Sequence, residues 1–133
     1  MDYYNSERYP DPTAYAALSA IERVERFRPL VYICSPFSNG NVEHNIENAR
    51  KYSRFAVDKH CIPIAPHLLF PQFMSEKKER ETALFMGIVL LTKCAELWAF
   101  GSTITSGMTM EITKAQRKGI PIRYFSEDME ERI

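Results

Sequence analysis

The sequence predicts an open, doubly wound α/β fold, a parallel sheet of about four or five strands in three αβα layers. Two observations predict it. Short apolar, β-rich runs alternate along the chain with longer stretches of helical periodicity. That alternation implies parallel strands joined by right-handed crossovers. Finally, 133 residues, 45% hydrophobic and 26% charged, suit one ordinary domain with a real core.

Residues 1–28 read as an N-terminal extension, partly helical. Met1 to Pro10 is polar and tyrosine-rich, and Pro10-Asp11-Pro12 separates it from Thr13–Phe27. There Leu18, Ile21, Val24 and Phe27 recur at helical spacing until Arg28-Pro29 stops the helix. Leu30–Cys34 is a short apolar run closed by Ser35-Pro36, a buried strand followed by a loop through Asn41. From Val42 to His60 the pattern is helical, with Ile46, Ala49, Ala56 and Val57 on one side and charge around the other. Cys61–Ala65 predicts a second strand, ended by Pro66-His67; its internal Pro63 suits a strand start or an edge.

A loop through Pro71 leads to a helix around Glu76–Lys93, charged at first and then almost wholly apolar. Such a helix is expected to be buried on most sides, in this core or against another subunit. Glu96–Phe100 predicts an aromatic-rich strand ended by Gly101. Ser106–Lys118 is helical with Gly119 as its stop, and Ile120–Phe125 is the last strand. The domain is thus expected over 29–126, with 127–133 a loose acidic tail.

Composition excludes several classes. Lys+Arg and Asp+Glu both count 17, so a formal net charge of zero offers no general attraction to nucleic-acid polymers or anionic membranes. Cys34, Cys61 and Cys94 are odd in number and far apart, without zinc-like spacing, and each lies in or beside an apolar run. No metal or cofactor is expected. The longest apolar run, Ala83–Leu91, is too short to span a bilayer. A soluble protein of the reducing cytoplasm is the expectation.

In open α/β sheets, ligands bind outside the carboxyl ends of the strands. That rule selects the loops Ser35–Asn41, Ala65–Pro71 and Gly101–Gly107. The third is small, hydroxyl-rich and enters a helix, with Ser106 read as its N-cap and free N–H groups able to hold an anion. Glu111 lies on the flank of the stripe defined by Met108, Ile112 and Ala115. Near the positive end of a helix its carboxylate would stay ionised, which suits a nucleophile or base. Helix geometry alone favours a surface pair with Lys114 instead.

The first loop offers Ser35, Ser38, Asn39 and Asn41, followed by His44 and Asn45, suitable for sugar hydroxyls or phosphate; turn and cap duty is the competing explanation. His67 has a structural role as its default, and Arg80 and Glu81 a surface ion pair. Neither a Ser/His/Asp set nor a glycine-rich dinucleotide loop is visible.

Taken together, the segments Val31–Phe37, Pro63–His67 and Cys94–Gly101, then Ser106-Gly107-Met108-x-x-Glu111, resemble the nucleoside 2-deoxyribosyltransferase-like superfamily, in an uncharacterised branch. The resemblance runs from about Val31 to Tyr124. It implies a flavodoxin-like (Rossmann-like) fold, a homo-oligomer, and cleavage or transfer at an N-glycosidic bond of a nucleoside or nucleoside 5′-monophosphate. In that family the Glu of the Ser-Gly-x-x-x-Glu block attacks the anomeric carbon, which assigns the nucleophile to Glu111. Ser106 and Gly107 would bind the sugar or 5′-phosphate, and Ser35, Pro36 and Phe37 would line the base and sugar pocket. Asn45, His67, Arg80 and Gly101 complete the expected substrate-binding set.

The sequence departs from the family at two places. The stretch Ser102–Thr105 lacks the family's acidic residue, and Ile88–Leu91 stands where its helix carries an Asp. Arg80, Glu81 and His67 are the candidates to replace the missing proton donor. A non-catalytic nucleotide-binding module and an assembly subunit are the competing readings.

Overall fold

Leu30–Cys34 (β1), Ile62–Ile64 (β2), Glu96–Phe100 (β3), Ile122–Phe125 (β4) and Glu131–Arg132 (β5) form one sheet in the order β2-β1-β3-β4-β5. All neighbours are parallel except β4 and β5. This is a computed structural model, and it describes residues 13, 14, 16, 17 and 27–133. Thr13, Ala14, Ala16 and Ala17 are helical and Phe27 is not; the rest of the expected first helix lies outside the described residues.

Central strands of a parallel sheet are covered on both faces, so they read as continuous apolar runs. Both β1 and β3 meet that condition, with four of five residues in each fully buried. Because side chains alternate along a strand, each run supplies both cores. Tyr32, Cys34, Leu97 and Ala99 face one side, packed against α3 (Arg80–Leu91) and α4 (Ser106–Arg117) through Leu91, Met108, Ile112 and Ala115. Val31, Ile33, Trp98 and Phe100 face the other, packed against Tyr52 and Ala56 of α1 (Val42–Asp58). Helices on both faces make three layers, the architecture read from the alternation of runs.

Elsewhere the structure corrects the boundaries. Pro63 occupies the edge strand β2, where its missing N–H costs no ladder bond on the open side. The loop after β2 contains a short helix, α2 (Pro66–Leu69), and a 3₁₀ turn over Phe70–Gln72. The helix α3 begins at Arg80 rather than near Glu76, after a run of turns. Only Gly87 and Leu91 of α3 are fully buried, while Phe85 is 59% exposed and Val89 also faces outward. Apolar composition therefore overstated its burial within the chain.

The tail is not loose throughout. Glu131–Arg132 pairs antiparallel with β4, held by Arg123, whose guanidinium donates to both carboxylate oxygens of Glu131 at 2.8 and 2.7 Å. Arg132 reaches back to donate to the Gly101 carbonyl. The partners lie 8 and 31 residues apart in sequence, and a local charge pattern does not reveal them.

The cap of α4 is also displaced by one residue. Thr105, not Ser106, is the N-cap, and its Oγ1 accepts the Met108 N–H at 3.2 Å. Thr105→Ala is expected to cost about 1 kcal/mol, checked by denaturant unfolding. Among the described residues no helix is long and apolar enough to cross a membrane.

Candidate active site

The chain leaves β1 toward β2 on one side and returns past it to β3 on the other, so the strand order reverses between β1 and β3. The crevice at such a switch point, outside the carboxyl ends of the strands, is where this class of fold binds ligands. A cavity of about 140 Å³ opens there. Its wall draws Ser35 and Phe37 from the loop after β1, His67 from α2, Arg80 from α3, and Ser106 and Gly107 from the start of α4.

Glu111 also borders this cavity, and it is only 6% exposed. It shares the inner face of α4 with Met108, Ile112 and Ala115, which rules out the expected surface pairing with Lys114. The Tyr32 hydroxyl donates to its Oε2, and the Cys34 thiol lies 3.6 Å from its Oε1. Tyr32 and Cys34 are two residues apart on β1, so the pleat aims both at the same carboxylate. Gly87 of α3 lies beside this group, and a Cβ there would sit 3.4 Å from the Tyr32 hydroxyl.

Burial dominates the electrostatics. It pushes the Glu111 carboxyl up from 4.5 to about 7, against the opposing effect of the hydrogen bonds from Tyr32 and Cys34. The helix dipole was expected to keep this group ionised, but Glu111 lies beyond the first turn, where that field fades. Burial, followed by the Glu111 charge, holds both the Tyr32 hydroxyl and the Cys34 thiol well above their ordinary values. The carboxyl thus titrates near neutrality while its two partners stay protonated.

His67 stacks on Phe37, ring centroids 4.8 Å apart and planes 13° apart, tying the loop after β1 to α2. Burial lowers its pKa to about 4, so at neutral pH it is an uncharged imidazole. Among the candidates for the missing proton donor, His67 is thus placed as a neutral ring, without the positive charge of an imidazolium. Arg80 stands at an exposed position, 3.7 Å from Glu76.

Three expected residues fall outside this cavity. Pro36, Asn45 and Gly101 line a separate hollow of about 70 Å³, which Ser35 also borders. The Asn45 amide donates to the carbonyls of Phe37 at 2.7 Å and Asn39 at 2.8 Å, so it holds the shape of the first loop. Ser35 is 2% exposed, and its Oγ is buried without a partner. Sequence reasoning missed Tyr32, Cys34 and Gly87. A tyrosine inside a buried strand needs a partner for its hydroxyl, and that was the available signal. Among the described residues, no group of three or more His, Cys, Asp and Glu is placed to hold a metal ion.

Fold and site together define a doubly wound αβα domain with a buried carboxylate at its switch-point crevice. Residues 29–125 match the family described as a domain of unknown function, DUF7768, and the chain belongs to that family. A comparison with curated proteins finds no match. Among solved structures the chain is similar to a 2-deoxyribosyltransferase from the psychrotolerant bacterium Bacillus psychrosaccharolyticus, with a TM-score of 0.53 and 20% identity. That likeness covers 73% of this chain and 72% of the other, and it is one of fold. Both findings agree with the resemblance read from the sequence.

Proposed function

We propose that this protein cleaves, or transfers a glycosyl group at, the N-glycosidic bond of a nucleoside or nucleoside 5′-monophosphate, with Glu111 as the nucleophile. The observation that carries the proposal is the Glu111 carboxylate, buried beside the cavity and held by Tyr32. A carboxylate stripped of water and fixed in direction is suited to attack an anomeric carbon. The similar solved structure bears the name of a 2-deoxyribosyltransferase, which supports the same chemistry here.

In this reading Ser106 and Gly107 present the N–H groups of the α4 N-terminus to the sugar or its 5′-phosphate. Phe37 and His67 give the base an aromatic wall, Ser35 offers an unpartnered hydroxyl, and Arg80 stands at the edge. Pro36, Asn45 and Gly101 act indirectly, by shaping the loops. The exposed apolar face of α3, with Phe85 and Val89, is the surface we assign to association of identical chains.

The test is incubation with mixed nucleosides and nucleotides, followed by chromatography. Free base accumulating over time supports an enzyme. Bound but intact ligand identifies instead a nucleotide-binding module, a reading favoured by the acid-free loop Ser102–Thr105.

Tyr32→Phe is expected to lower the rate at neutral pH. The hydroxyl bond favours the ionised carboxylate, so its loss raises the Glu111 pKa further and moves the ascending limb of the pH–rate profile to higher pH. An unmoved limb would dissociate Tyr32 from the chemistry.

A further inference from the structure

The titratable side chains on the cavity wall, among the described residues, are Tyr32, His67, Glu76, Arg80 and Glu111. Breaking the bond to a neutral base usually calls for a proton on that base. Tyr32 already spends its proton on Glu111, His67 is uncharged, and Glu76 and Arg80 form an exposed ion pair. Glu111 must itself be ionised to attack.

The same surroundings leave the carboxylate without a positive partner. Its contacts are the neutral Tyr32 hydroxyl and Cys34 thiol, and Arg80 is engaged with Glu76. A buried anion gains most from a cation brought to it. The remaining wall includes the stacked Phe37–His67 pair and the thioethers of Met74, Met108 and Met110, surfaces that accept a flat cationic ring.

Resting on the reading of Glu111 as nucleophile, we propose that the cavity selects a nucleoside whose base carries a fixed positive charge, such as an N-linked pyridinium. A Glu111 oxygen bonds to the anomeric carbon while the carbon–nitrogen bond breaks. Its electron pair passes to the ring nitrogen, which becomes neutral, and no proton moves in that step. Water then bonds to the anomeric carbon, losing its proton to solvent as the carboxylate departs.

The test uses the full chain with 1-methylnicotinamide, a cation, and 3-methylbenzamide, its neutral isostere. By calorimetry at pH 8 the cation is expected to bind about tenfold tighter. The preference should vanish in Glu111→Gln and, as a check independent of the variant's folding, in the unmodified chain at pH 5. Equal binding at pH 8, or a preference that survives Glu111→Gln, overturns the proposal. Turnover separates the two ideas. Cleavage of nicotinamide riboside about 100-fold faster than inosine supports both. Glu111-dependent cleavage of inosine alone keeps the nucleophile and removes the cationic base. Glu111-dependent binding of the cation without cleavage of either nucleoside keeps the recognition and removes the nucleophile.

Discussion

Glu111→Gln is expected to lower base release by about 10³-fold or more, with affinity for uncharged nucleosides little changed. The substitution keeps the side chain's size and still accepts from Tyr32, so the cavity survives while the attacking oxygen loses its charge. Glu111→Ala should lose as much activity and also leave the Tyr32 hydroxyl buried without its acceptor, at a further cost in stability. A nucleophile shows itself in the turnover number, and a mere binding residue in KM. Steady-state kinetics on both variants distinguish the two. In the unmodified protein the rate should rise with pH through about 7, where the carboxyl ionises.

The second large effect runs the other way. A carboxyl raised from 4.5 to about 7 binds its proton more tightly in the folded than in the unfolded chain. Its contribution to stability is therefore complete below pH 4.5, declines as pH rises toward 7, and above 7 amounts to a constant penalty. At ~1.4 kcal/mol per pH unit that penalty is about 3 kcal/mol. Glu111→Gln removes it. The inactive variant should be more stable than the parent at pH 8, with a melting temperature roughly 10 °C higher, and the two should converge toward pH 4.5. Thermal unfolding across pH measures this, and parallel curves would contradict the buried, pKa-raised carboxyl. Loss of activity with gain of stability is the signature of a site held at a thermodynamic cost.

The layers of the fold were legible because the central strands β1 and β3 are buried on both faces and so announce themselves as unbroken apolar runs. The helix α1 was legible from its one-sided stripe. The same logic failed where position in the sheet or distant partners decide. Glu131–Arg132 reads as a charged tail, yet Arg123 recruits it as an edge strand. An apolar segment such as Phe85–Val89 reads as buried in this core or against another subunit, and composition did not say which; within the chain one face of it remains open.

The site divides similarly. Ser106, Gly107 and Glu111 lie close together in sequence on one helix, and the structure sets them at one cavity with His67 and Phe37. The partner of Glu111 was hidden, since Tyr32 is 79 residues away and looks like an ordinary strand aromatic. Asn45 was placed in the substrate set from its residue type, whereas its amide is committed to two loop carbonyls. Thr105 and Ser106 are adjacent hydroxyls, and local sequence did not decide which one caps the helix.

The central claim is that Glu111 bonds covalently to the sugar, and trapping that bond tests it most directly. The protein would be incubated with a nucleoside carrying fluorine at the sugar 2-position, which slows resolution of a glycosyl-enzyme, then digested with trypsin and analysed by mass spectrometry. The account predicts one added fluoropentosyl group on the peptide spanning 94–114, located at Glu111 by fragmentation. Free base appearing with Glu111 unmodified, or the label found on another residue, would contradict it.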